Sequence, residues 1–224
     1  FSGATFTQNA NFSGTTFTQN ANFSGTTFTQ NANFSGTTFT QNANFSGTTF
    51  TQNADFSKAE FAEANFSWAE FTRFASFSGA EFAEASFSRT KFTKASFSRT
   101  KFTKASFSRA TFTQNADFSK ATFTQNANFS GATFTQNADF SKAEFTQNAS
   151  FSAAIFEDKP KFEYTLDNKT YKARFSCKAA PEDYKFEVSS ESPYKIETEE
   201  REHNDVKFII PKGTELFDPD EPSE

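Results

Sequence analysis

The chain has 224 residues and a formal net charge of −5 at pH 7; 36 of its residues are Phe and Met is absent. Leu and Val occur twice each and Ile four times, which excludes a mixed aliphatic core, a membrane span and a heptad coiled coil. Disordered chains avoid aromatic residues, so the composition calls for an ordered core built on Phe.

From the first residue, Phe stands at 1, 6, 12, 17, 23, 28, 34, 39, 45 and 50, in alternating steps of five and six. The unit FSGTTFTQNAN repeats almost unchanged to Asn53. Plain steps of five run from Phe56 to Phe71 and from Phe77 to Phe112, and the alternation then returns as far as Phe156. Up to Phe156 only Phe74 lies off this ruler, and Ala or Thr stands two residues before each Phe that has such a neighbour. A helix cannot use this spacing, because residues five apart are rotated by roughly 500° and form no stripe. Short extended segments can: Phe and the small residue two before it face one side, and their polar neighbours face the other. Four such sides close a coil of about 20 residues, or about 22 where an extra Asn is present. That extra residue (Asn9, Asn20, Asn31, Asn115) is expected at a corner, in the left-handed backbone that Asn tolerates.

The units ANFSG, ADFSK, AEFAE, ASFSR and TKFTK resemble the pentapeptide-repeat family, whose unit reads A-[DN]-[LF]-x-x, over about residues 1 to 156. The resemblance implies a right-handed, four-sided parallel β-helix with the Phe and the small residue inside. The six-residue sides depart from the family's plain square outside residues 56 to 112. Counting four sides per coil stacks Phe17, Phe39, Phe61, Phe82, Phe102, Phe123 and Phe145 on one face as structural core. A second face stacks Phe6, Phe28, Phe50, Phe71, Phe92, Phe112, Phe134 and Phe156. About seven and a half coils make a rod of roughly 36 Å, in which no coil is stable without its neighbours.

Function on such a rod lies in the outward positions. These are acidic at Glu60, Glu63, Glu70, Glu81 and Glu84, then basic at Arg89, Lys91, Lys94, Arg99, Lys101, Lys104 and Arg109. The coil count sets Glu81 one layer below Lys101, Glu84 below Lys104 and Glu70 below Lys91, as cross-strand ion pairs. The alternative is a charged collar that binds a macromolecular partner. Residues 1–155 hold 11 basic and 9 acidic residues, too even a balance for a nucleic-acid footprint, so nucleic acid is not an expected partner. The same balance argues against a topoisomerase-directed DNA mimic, a role known in the resembling family. Paired Thr residues such as Thr27 and Thr29 or Thr38 and Thr40 offer a minor ice-binding alternative, interrupted midway by Glu81 and Lys91. Trp68 and Phe74 break the outward polar rule and read as a packed corner or a small apolar contact patch. Asn11, Asn22, Asn33, Asn44, Asn65 and Asn128 form N-F-S sequons, which follow from the repeat itself and are evidence of secretion only where other signs agree; an extracellular or cell-surface setting is slightly favoured over the cytoplasm.

Beyond Phe156 all the Tyr and Pro residues occur, and residues 156–224 carry 11 basic and 18 acidic residues. Segments 161–167, 170–176, 184–190, 194–200 and 206–210 alternate as about five short strands, with Asp167-Asn168-Lys169 as a hairpin turn. The expected division is a solenoid at 1–156, a small antiparallel β module at 157–217 and an acidic flexible tail at 218–224. The module either caps the open end or serves in binding or assembly. His203 is the single His and Cys177 the single Cys, and no Gly-rich phosphate loop or nucleophile set accompanies them. The expectation is therefore a non-enzymatic chain with no cofactor and no metal, acting as a rod, stalk or self-assembling fibre subunit. Its partners would be a second copy, end to end, or another protein. A start in mid-repeat without Met suggests a piece of something longer.

Overall fold

The computed structural model describes residues 1–221; of the acidic tail expected at 218–224, the last three residues lie outside this range. The fold is a parallel β-solenoid of about seven turns with four Phe columns inside. The column starting at Phe17 stacks Phe39, Phe61, Phe82, Phe102, Phe123 and Phe145 at ring distances of 4.6–5.2 Å. Backbone pairing keeps the same register, for example Phe61 opposite Phe39 on one side and Phe82 on the other. Columns starting at Phe1, Phe6 and Phe12 stack likewise, as in Phe45 on Phe66, Phe28 on Phe50 and Phe34 on Phe56.

The Phe1 and Phe12 columns meet in the middle of the cross-section. Phe66 lies flat between Phe45 and Phe87 at 4.8 and 5.0 Å and edge-on to Phe56 and Phe77 at 5.2 and 5.4 Å. Such offset-stacked and T-shaped pairs are the favoured arrangements of aromatic quadrupoles. The columns of Phe6 and Phe17 flank this centre on opposite faces. The inward Thr residues are also satisfied: the hydroxyls of Thr48, Thr90 and Thr100, all fully buried, donate to the carbonyls of Phe23, Phe66 and Phe77 one layer away at 2.7–2.8 Å.

Corners follow from local chemistry. After each Phe of the two central columns the chain turns, with the residue two beyond at positive φ: Gly47 at 63°, but also Trp68 at 63° and Arg89 at 59°. The next N–H bonds back to the Phe carbonyl, as from Thr48 to Phe45 at 3.1 Å, the pattern of a type II turn. Asn or Asp before the Phe supports the turn, its Oδ1 accepting the N–H of the Ser two residues on, as in Asn44 to Ser46 and Asp55 to Ser57. The left-handed corner expected for Asn9, Asn20, Asn31 and Asn115 is not observed; none of them has positive φ. The extra residue is absorbed as a bulge instead. Asn42 still pairs with Glu63 and Asn126 with Lys104, while the register shifts between each pair and its Phe.

Parallel stacking continues across the compositional change at residue 156. Phe162 lies on Phe140, Phe175 on Phe145 and Phe186 on Phe151, at 5.4, 4.9 and 5.9 Å. Strands Arg174–Ser176 and Tyr184–Lys185 pair in parallel with the layer below, and Glu215–Phe217 pairs in parallel with Arg174–Ser176. Two antiparallel hairpins are inserted: Glu163–Leu166 with Lys169–Lys172, and Thr198–His203 with Val206–Pro211. Both turn through two successive positive-φ residues, Asp167-Asn168 and Asn204-Asp205, as a two-residue type I′ loop requires. The strands expected at 184–190 and 194–200 are shorter, ending at Lys185 and starting at Thr198. Between them the Ser192 hydroxyl takes the place of a ladder, accepting from the Phe156 N–H and donating to the Tyr194 carbonyl. Phe208 and Ile210 of the second hairpin are buried at this end of the columns.

Full burial of Phe77 and the 38 % exposure of Phe74 give a direct contrast. Phe77→Ala is expected to cost about 3–5 kcal/mol and Phe74→Ala well under 1 kcal/mol. Urea midpoints of the two variants measure the difference.

Candidate functional site

The charged collar occupies the coils between Glu60 and Arg109, on the two faces that the Phe6 and Phe17 columns support. Glu60 and Glu63, then Glu81 and Glu84, then Lys101 and Lys104 occupy successive strands of the Phe17 face in strict register. Lys101 Nζ lies 2.7 Å from Glu81 Oε1, and Lys104 Nζ 2.8 Å from Glu84 Oε1. The Glu81 carboxylate raises the Lys101 pKa above its ordinary value, chiefly through this hydrogen bond. Glu60 and Glu63 stand in register with Glu81 and Glu84 as like charges, and Glu63 accepts a hydrogen bond from Asn42 Nδ2 at 3.2 Å.

The opposite face differs. Glu70 and Lys91 are in register yet form no ion pair among the described residues. Trp68 and Phe74 are not packed into a corner: they are 62 % and 38 % exposed. Type II turn geometry turns the Trp68 side chain outward, and the bulge holds Phe74 out of the inward alternation. Each carries a cation from the next coil, Arg89 Cζ at 4.6 Å from the Trp68 ring and Lys94 Nζ at 5.7 Å from the Phe74 ring. Arg109 follows Arg89 at the same corner one coil on, while Arg99 occupies the diagonally opposite corner with Lys58, Lys120 and Lys142. The cation–aromatic contacts were not expected from sequence, although the coil count that placed Glu81 beneath Lys101 also places Trp68 beneath Arg89.

One hydroxyl of several Thr pairs is tied up in the stack, while Thr27, Thr38 and Thr49 make no side-chain hydrogen bond among the described residues. Thr29, Thr51 and Thr40 donate to the carbonyls of Phe6, Phe28 and Phe17 at 3.0–3.2 Å, so the layer-to-layer bond uses one donor of each pair that an ice plane would need. Acidic residues of the Phe17 face are confined to a few layers, short of the continuous acidic rod a DNA mimic requires. Among the described residues, no group of three or more His, Cys, Asp or Glu is placed to hold a metal ion. Among the described residues no helix is long and apolar enough to cross a membrane.

A family profile described as pentapeptide repeats (9 copies) matches residues 1–49, 45–91 and 87–133, more than half of the chain. The chain belongs to the pentapeptide-repeat family. No curated protein matches it. Solenoids of pentapeptide repeats are in general structural or interaction modules, and this one offers two unlike charged faces.

The register of the Phe17 face makes its ion pairs testable. Reversal of Lys101 and Lys104 to Glu stacks like charges over Glu81 and Glu84 and should lower the thermal midpoint, with the loss shrinking at high salt. The same reversal of Lys91 and Lys94, which hold no ion pair, should move the midpoint much less. Thermal scans at low and high salt measure both.

Proposed function

We propose that this pentapeptide-repeat chain is a non-enzymatic rigid spacer, a rod or stalk whose C-terminal β segment caps the stack. The observation that carries this reading is the continuity of the four Phe columns through the collar, three of which run on beyond Phe156 to Phe162, Phe175 and Phe186. Each layer bonds to the next through backbone and side chains, so bending would open several bonds and rings together. The buried hairpin residues Phe208 and Ile210 support a cap over an otherwise open sheet end. Arg174 reinforces the junction, with Nη1 3.6 Å from the Glu144 carboxylate and Cζ 4.4 Å from the Phe217 ring. A self-assembling fibre subunit is the sharper form of the same reading. The exposed collar cations and Trp68 favour a second reading, an interaction module for a macromolecular partner.

A spacer built of equivalent layers should lengthen in steps. Three extra copies of the 22-residue unit 23–44, inserted in frame, should add about 14 Å to the maximum dimension in small-angle scattering while unfolding stays cooperative. An unchanged dimension or a molten insert would contradict the spacer reading. Electron microscopy of the same sample separates single rods from fibres.

A further inference from the structure

The near-even charge of the solenoid is an average over two opposite faces. On the Phe17 face, Lys101 and Lys104 are neutralised by Glu81 and Glu84. On the Phe6 face and its corners, Arg73, Arg89, Lys91, Lys94 and Arg109 are all exposed and none forms an ion pair among the described residues. The acids are Glu70 and, at the far edge of the same strands, Asp55 and Asp117, which stand in register with Ser76 and Ser96 and accept the turn N–H groups of Ser57 and Ser119. The two aromatic rings that the coils of this collar leave in solvent, Trp68 and Phe74, lie on the same face. Trp68 stays 62 % exposed even with Arg89 over its ring, so ring surface remains open to a planar ligand.

We infer that this face binds single-stranded nucleic acid. Cations in successive layers would follow the phosphates, and Trp68 and Phe74 would receive unstacked bases, the combination that sequence-tolerant single-strand binders use. Trp68, Arg89 and Arg109 occupy one corner of three successive coils, a span of about 10 Å, and Lys91 and Lys94 extend the patch across the face. That area suits three or four nucleotides. A duplex fits less well, because its base faces are hidden and this flat β surface carries no element that enters a groove. The inference goes beyond the spacer reading and does not depend on it.

Trp68 is the single Trp of the chain and reports its own occupancy. Titration of the full chain with a thymidine 20-mer at about 20 mM salt should quench Trp fluorescence, and log affinity should fall with log salt at a slope of about −3, for four to five contacted phosphates. Trp68→Ala should weaken binding of the labelled 20-mer about tenfold in anisotropy. Lys91→Ala and Lys94→Ala should each reduce the slope by about 0.7. Lys101→Ala and Lys104→Ala, on the opposite face, should leave binding unchanged. Circular dichroism verifies the fold of each variant. No binding of the 20-mer would overturn the inference, as would equal binding of duplex DNA or poly-glutamate, or tighter binding of anionic lipid vesicles. Losses from Lys101 and Lys104 matching those from Lys91 and Lys94 would overturn it as well.

Discussion

Stacking of Phe on Phe at the spacing of adjacent parallel strands is the interaction on which the rest of this molecule depends. Strands in a sheet lie about 4.8 Å apart, and offset-stacked aromatic rings prefer nearly that separation. Backbone ladder and ring column therefore share one repeat. Phe23 and Phe45, for example, lie 4.9 Å apart and 3° from parallel. The interior needs little else beyond Ala or a Thr whose hydroxyl reaches a Phe carbonyl. A chain with so few aliphatic residues can be ordered because each ring is buried by rings above, below and across, and because that arrangement adds on with every coil.

This division of labour frees the outer positions. Their side chains point away from the columns, so Thr, Glu, Lys or Arg can follow one another on the same face while the Phe beneath stays fixed. Thr38, Glu60, Glu81 and Lys101 are one such series. Corners are equally permissive. Gly relieves the positive-φ turn without strain, yet Lys58, Trp68, Arg89 and Arg99 occupy equivalent corners, because the direction they point is open. Charge and aromatic surface can thus be written onto the rod at little cost to its core, and the two faces of the collar have been written differently.

Much of this was legible in the residues because one period governs it. Steps of five and six located all four columns from Phe1 to Phe156, and the same count set Glu81 against Lys101. Legibility failed where geometry departs from counting. Asn31 and its equivalents looked like left-handed corners, but a parallel ladder takes up an extra residue as a bulge, and the left-handed backbone falls two residues after the central Phe. Trp68 and Phe74 were seen to break the outward polar rule, but counting does not tell a packed corner from an exposed patch; the turn and the bulge decide it by holding both rings outward. Past Phe156 the ruler fades. Phe162 still falls one six-residue step further on, although Pro160 replaces the small residue before it, but Phe175 and Phe186 follow inserted hairpin and turn segments, so their places on top of Phe145 and Phe151 leave no periodic trace.

If the ring columns bind the layers into one unit, protection from solvent should follow the columns and ignore the decoration. Native-state hydrogen exchange of the amides of Phe45, Phe66, Phe87 and Phe107, which all bond to the next layer at 2.7 Å, measures this directly. The account predicts that all four exchange with the same high free energy, through one cooperative opening that crosses the acidic and basic coils alike. Independent exchange of the collar amides at Phe66 and Phe87, at markedly lower free energy than at Phe45 and Phe107, would contradict it.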